Sequence, residues 1–194
     1  MVESRVKTAQ MTQLTLLIAI MAVLGFTPLG FIQIPPVSIT IMHIPVMIGA
    51  MVMGPKEGGI LGLVFGLISM VRATFMGVSP IDLMFSPFAS GYPIQSIIMV
   101  LVPRILLGVI TGVLYKSLEP KTKDVLAIGL SATVGSIAHS ALVLSCLAVL
   151  FSAFPLKEVI FIIISVNGTL ELLAGVVVSV AVVKPLLMYQ KRKG

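Results

Sequence analysis

The chain has 194 residues, of which 58% are hydrophobic and only 10% charged, and its mean hydropathy is +1.16. Soluble domains carry about 25% charged residues, so an ordinary water-soluble domain is excluded and the bilayer is the natural solvent. A net charge of +6 would suggest a nucleic-acid partner in a soluble protein, but here the basic residues gather in short loops and at the ends, which is a topology signal.

The first apolar run, residues 11–31, follows Arg5 and Lys7 as a signal peptide would. No small-residue cleavage site leading into a polar chain comes after it, so it reads as a retained helix. Gln33-Ile-Pro-Pro-Val-Ser38 then breaks the helix, because adjacent prolines remove two backbone donors and fix φ. A second segment covers residues 41–53, and Gly54-Pro-Lys-Glu-Gly58 turns the chain into a third at 59–70. Both are short for a span. Residues 72–95 hold Pro80, Pro87, Pro93, Gly77 and Gly91, which predicts a long irregular connection with short helical pieces. The fourth, fifth and sixth spans are expected at 97–115, 125–151 and 159–188, and Lys191-Arg-Lys193 closes the last.

The fold expected is therefore a single-domain (1–194), all-α integral membrane protein with six transmembrane helices. Lys and Arg accumulate in short cytoplasmic loops, and this gives an independent check. With the N-terminus inside, Arg5, Lys7, Lys56, Lys116, Lys121, Lys123, Lys184, Lys191, Arg192 and Lys193 fall on the cytoplasmic side, ten of the 13 basic residues. Both termini are expected in the cytoplasm.

Between helices in lipid, close approach is favoured by small residues at four-residue spacing. Gly58, Gly62 and Gly66 form one such stripe, Gly108 and Gly112 another, and Thr15 and Ala19, with Ala22 beyond, a third. The glycine pairs fit packing within the chain better than a face for another protein.

Ionisable groups inside a span are costly and face a cavity or one another. Arg104, His139, Asn167 and Glu171 lie in the last three spans. Each shares a four-residue stripe with small residues: Arg104 with Gly108 and Gly112, His139 with Gly135 and Ser131, Asn167 and Glu171 with Gly175 and Ser179. At 1.5 Å per residue they lie roughly 10–18 Å below the outer ends of their spans, so all four can converge on one cavity. Arg104 and Glu171 fit equally a buried ion pair that fixes two helices, and His139 and Asn167 fit interhelical hydrogen bonds. His43 reads as interfacial. Arg72 and Asp82 read as loop anchors, Tyr92 and Gln95 as contacts of an outer lid.

No phosphate-binding Gly-x-x-x-x-Gly-Lys-Ser/Thr loop, His-Glu-x-x-His or Gly-x-Ser-x-Gly is present, so an ATPase, a zinc protease and an elbow-type serine hydrolase lack support. The one cysteine, Cys146, offers neither a disulfide nor a thiolate metal site. No cofactor or metal is expected.

These residues resemble the substrate-binding S components of energy-coupling factor (ECF) vitamin transporters, over nearly the whole chain. The resemblance rests on Thr15-Leu-Leu-Ile-Ala19, His43-Ile-Pro-Val-Met-Ile-Gly49 leading into Gly54-Pro-Lys-Glu-Gly58, Gly62-Leu-Val-Phe-Gly66-Leu-Ile-Ser69, Pro103-Arg-Ile-Leu-Leu-Gly108 and Asn167-Gly-Thr-Leu-Glu171. The pattern is most similar to the pantothenate-type members. The resemblance implies a six-helix protein of the bacterial cell membrane that captures a vitamin from outside, then works with a transmembrane coupling subunit and two cytoplasmic ATPases that use the ATP. It implies a docking pair of Ala-xxx-Ala type on the first helix, here Thr15 and Ala19, with Thr15 departing from Ala. It implies solute contacts from the last three helices and outer loops, hence Arg104, His139, Asn167, Glu171, Tyr92, Gln95 and Arg72.

Chemistry adds a hint about the solute. The chain has no Trp, which disfavours an elaborate stacking cage for a flat ring. Pantothenate offers a carboxylate for Arg104, and hydroxyl and amide groups for His139 and Asn167; Glu171 could orient Arg104 or accept a hydroxyl proton. Riboflavin and folate are alternative solutes. Apart from the resemblance, the same residues fit a proton-coupled carrier with Glu171 and His139 as its relay, an intramembrane enzyme pairing a serine with His139, or a structural subunit that binds no solute.

Overall fold

The structure, a computed structural model, describes residues 2–32, 39–151 and 166–193, and side chains for 8–30, 40–151 and 168–189. In chain order come α1 (Val2–Phe26), β1 (Phe31–Ile32), β2 (Ile39–Thr40), α2 (His43–Met53), α3 (Pro55–Met76), α4 (Pro80–Met84), α5 (Pro93–Leu118), α6 (Asp124–Leu150) and α7 (Val166–Lys193). The described fold is all helical apart from one antiparallel pairing of two-residue strands, with Phe31 opposite Thr40.

Five of these helices are long and apolar enough to cross a membrane, within α1, α3, α5, α6 and α7. All five match spans expected from hydropathy, with shifted ends. The first helix stops at Phe26 rather than residue 31, and the third runs on to Met76 rather than 70. The extension puts Arg72 in the last turns of α3, buried, and not in an outer loop. Hydropathy falls at Arg72, but the helix continues because its other neighbours are helix-compatible and Gly77 and Pro80 come only later. Likewise Gln95 stands in the first turn of α5, leaving residues 77–92 as the connection, with α4 inside it. The expected start of the sixth span, 159–165, lies outside the described residues.

The sixth apolar segment, α2, is the short one. Its 11 residues reach about 16 Å, roughly half of a hydrocarbon core of about 30 Å. It is apolar all round, and His43 through Met51 are all buried, as expected for a helix enclosed by others. Met42, Val46 and Met47 join Met21 of α1, Leu61 and Phe65 of α3, Leu107 of α5 and Val183 of α7 in one core. A single residue, Gly54, links α2 to α3. Its φ of 117° suits glycine alone, its N–H bonds the Ala50 carbonyl at 3.1 Å, and Pro55 starts α3 at a position where no N–H is needed.

The glycine stripes pack α3 against α5 backbone to backbone. A Cβ added to Gly62 would land on the Arg104 carbonyl, one on Gly108 would land on the Gly58 carbonyl, and one on Gly112 would reach Pro55. These glycines are spent inside the chain. Gly129 on α6 is the contrast, with open space where its Cβ would be.

Thermal unfolding in detergent should separate the two kinds of glycine. Gly62→Ala or Gly108→Ala is expected to cost about 1–3 kcal/mol by overpacking, whereas Gly129→Ala should leave the melting temperature unchanged or raise it, gaining up to about 1 kcal/mol of helix propensity.

Candidate functional site

Because α2 spans only half the bundle, its N-terminal end lies level with polar residues of α6 and α7. A pocket of about 60 Å³ opens there, lined chiefly by His43, Ser136, His139, Ser140, Thr169 and Glu171. By volume it has room for about four waters. Its wall is polar where much of the neighbouring core is aliphatic. A larger groove of about 420 Å³ between α1, α2 and α7 is lined by residues such as Leu16, Ile20, Ile44, Ile48 and Val182, with Gln13 its one polar wall residue. That groove cannot satisfy a polar solute.

Thr40, the residue that ends β2, ties the pocket together. Its N–H donates to Glu171 Oε1 at 2.5 Å, and its carbonyl accepts from His43 Nδ1 at 2.8 Å. Its hydroxyl oxygen accepts from Met42 N–H at 3.3 Å. Glu171 therefore stands at the N-terminal approach to α2, where a helix dipole favours a carboxylate. His43 is only 2% exposed and belongs to the pocket wall, not to an interface with water. Position alone suggested the interface, since His43 begins its segment; the segment, however, begins in mid-bundle.

Arg104 is held one layer away. Pro103 stands inside α5 and has no N–H, so the carbonyl four residues earlier, that of Met99, loses its helical partner. Arg104 NH1 supplies the missing donor at 2.9 Å. Its guanidinium carbon lies 5.4 Å from the Phe65 ring centroid and 5.1 Å from that of Phe85, within cation–π range of both. Its Nε is buried without a hydrogen-bond partner. Arg104 is not in the wall of the pocket, and the hydrogen bonds of Arg104 and Glu171 go to Met99 and Thr40 rather than joining the two. The two charges are still within electrostatic reach.

His139 bridges these two layers. Its ring lines the pocket, its Nδ1 is 3.5 Å from the Pro103 carbonyl, and its ring centre is 5.8 Å from that of Phe65. Arg104 and His43 both act on it electrostatically. The three thus form a row, His43, His139, Arg104.

The remaining expected contacts lie further out. Tyr92 is exposed at the start of α5, its ring edge-on to Phe151 at 5.9 Å, which ties α5 to the end of α6. Gln95 is half-buried one turn on. Arg72 is near Asp82, of opposite charge, and Asp82 itself closes a capping box with Ser79 at α4. These three do not line the pocket. Asn167 is in the first turn of α7, but its side chain lies outside the described residues. On α1, Thr15 and Ala19 are exposed on the outer surface, whereas Ala22 packs inward against the core.

Sequence reasoning brought His139 and Glu171 together and missed His43, Ser136, Ser140 and Thr169. Ser136 and Ser140 lay in reach of the method, since Ser136 is one turn before His139 and one turn before Ser140, on the same side of α6. His43 needed the length of α2.

Residues 9–189 match the family described as ECF transporter, substrate-specific component. The chain is also 32% identical over 191 residues to the pantothenic acid transporter PanT of Lactococcus lactis subsp. cremoris (strain MG1363), covering 93% of this chain and 94% of that protein. A polar pocket enclosed in a bundle of apolar helices agrees with both, and this chain belongs to the substrate-specific components of ECF transporters.

Proposed function

We propose that this chain is the high-affinity pantothenate-capture subunit of an ATP-driven importer in a bacterial cell membrane. The pocket between α2, α6 and α7 carries the reading: it gathers hydrogen-bonding side chains for a small polar solute in a chain related to a pantothenic acid transporter. The row from His43 through His139 to Arg104 suits an elongated solute with hydroxyls and an amide, and a carboxylate at one end. Arg104 is the cation nearest this row, with an unpartnered Nε, and is assigned the carboxylate. Asn167, Tyr92, Gln95 and Arg72 are proposed to complete the site from its outer side.

In this reading α1, α2, α3, α5, α6 and α7 are six membrane-embedded segments with both termini in the cytoplasm. Support comes from Lys56 at the α2–α3 turn and Lys116, Lys121 and Lys123 at the α5–α6 turn, all exposed. The two turns share an end of the bundle, as the approach of Gly112 to Pro55 requires. The chain itself carries no nucleotide-binding loop. The work of release falls to a transmembrane coupling subunit and two cytoplasmic ATPases, docked through the α1 face of Thr15 and Ala19. The Thr15 hydroxyl bonds the Met11 carbonyl at 2.9 Å, so the substitution of Thr for Ala presents little more than a methyl group to a partner.

Titration of the purified protein with pantothenate, riboflavin, folate and thiamine should give tight binding of pantothenate alone. Arg104→Gln should weaken pantothenate by about tenfold or more, the loss expected of a charge-assisted hydrogen bond, while leaving the neutral alcohol pantothenol unaffected; equal affinity of the variant and the parent for pantothenate would remove Arg104 from the site.

Docking should be separable from capture. Ala19→Leu widens the α1 face and is expected to abolish ATP-dependent uptake into vesicles containing the coupling subunit and ATPases, with solute binding unchanged. Uptake that persists without ATPases and collapses with the proton gradient would instead identify an autonomous carrier.

A further inference from the structure

The backbone of Thr40 points out of its own sheet. Ile41 N–H donates to the Gly30 carbonyl at 3.2 Å, so the next facing pair, Phe31 and Thr40, falls at the alternate position where an antiparallel ladder makes no bonds. The N–H and the carbonyl of Thr40 are therefore turned away from β1. The carbonyl accepts from His43 Nδ1, and the N–H donates to Glu171 Oε1, a partner 131 residues along the chain. The backbone of Glu171 is in turn within reach of the His43 ring. One residue each from β2, α2 and α7 thus closes a ring of contacts beside the pocket.

The ribbon of β1 and β2 has little of its own to hold it. Strands of two residues each are marginal by themselves, and the other bonds at their base, from Ile41 N–H and Thr40 Oγ1, converge on the one carbonyl of Gly30. A backbone N–H bonded to a carboxylate makes a charge-assisted bond, about twice as strong as a neutral one. A carboxylate in the wall of a pocket for an anionic solute is a liability as a direct contact. Turned onto an N–H at the N-terminal approach to α2, it is stabilised.

We propose that Glu171 is a positioning residue for solute capture: it clasps the Thr40 N–H, thereby holds the β1–β2 ribbon and His43 at the pocket, and does not itself read the solute. The proposal rests on the pocket being the solute site and deepens that reading. Release of the clasp frees the ribbon from α7, so this bond governs how long a captured solute stays.

The test measures pantothenate binding and dissociation on the purified full chain, and follows amide hydrogen exchange around Thr40 without solute. Glu171→Ala is expected to weaken binding about ten- to a hundredfold, the loss of a hydrogen bond to a charged group, mainly through faster dissociation, and to speed exchange. Glu171→Gln still offers an oxygen to the Thr40 N–H and should rescue most of the affinity and the slow exchange. Thr40→Pro removes the N–H and leaves Glu171 in place. Because that N–H takes no part in the ladder, proline costs the ribbon no bond, and the loss of affinity should equal that of Glu171→Ala. The two changes combined should lose no more than either alone.

A loss in Glu171→Gln as large as that in Glu171→Ala overturns the proposal, since the charge or a direct solute contact then matters. Parental affinity in Glu171→Ala or Thr40→Pro, or additive losses in the pair, overturns it as well. These two variants remove the same bond from opposite sides, so either decides if the other does not fold. A parent that binds riboflavin, folate or thiamine in place of pantothenate fails the pantothenate reading alone, and the series is then read with that vitamin. A parent that binds none of the four fails that reading and the capture role together, and the exchange rates still decide whether Glu171 holds the ribbon.

Discussion

The distance between α3 and α5 governs the arrangement of everything else in the bundle. It is set by backbone meeting backbone, Gly62 at the Arg104 carbonyl and Gly58 at Gly108, with no side chain between to act as a spacer. In lipid no hydrophobic force pulls helices together, so van der Waals contact of this kind has to supply the attraction. The contact also fixes Arg104 beside Phe65, which α3 presents one turn beyond Gly62. With α3 and α5 closed on each other, α2 is left enclosed between α1, α3, α5, α6 and α7, and its abrupt start at His43 becomes the floor of the pocket.

Proline at 103 shows how the cost of one irregularity is offset by a neighbour. The helical hydrogen bond it removes would leave the Met99 carbonyl bare in a medium without water, a loss of several kcal/mol. The adjacent Arg104 turns its guanidinium back onto that carbonyl, so the cation has a fixed position with no hydrogen-bonded carboxylate among the described residues. An Arg held by a carbonyl and two aromatic faces has no carboxylate hydrogen-bonded to it. On the proposed reading its positive potential serves the solute carboxylate, and a salt bridge with Glu171 would have weakened that potential.

Much of the fold was legible because lipid imposes a simple rule on sequence. Runs of apolar residues located α1, α3, α5, α6 and α7 within a few residues, and four-residue stripes correctly assigned Gly58, Gly62 and Gly108 to internal packing. His139 and Glu171 emerged as neighbours from the same periodicity. What stayed hidden depended on how far one element reaches across another. Composition describes α2 as apolar, but that its first residue lies beside Glu171 follows only from packing. The Thr40 backbone, which holds both His43 and Glu171, carries no signal at all, because any residue has an N–H and a carbonyl. Arg104 was rightly seen as buried and polar, yet its bond to Met99 needed the link between a missing proline N–H and the carbonyl four residues before it.

The outward face of α1 has one further implication. With the Thr15 hydroxyl returned to its own helix, the surface around Thr15 and Ala19 is chemically indistinguishable from acyl chains, and a protein partner displaces nothing there that was bound by more than dispersion. Leaving such a partner exposes no thirsty group and joining it removes none. Under the docking proposed for this face, attachment is a contest between a fitted solid surface and a fluid one, decided by shape.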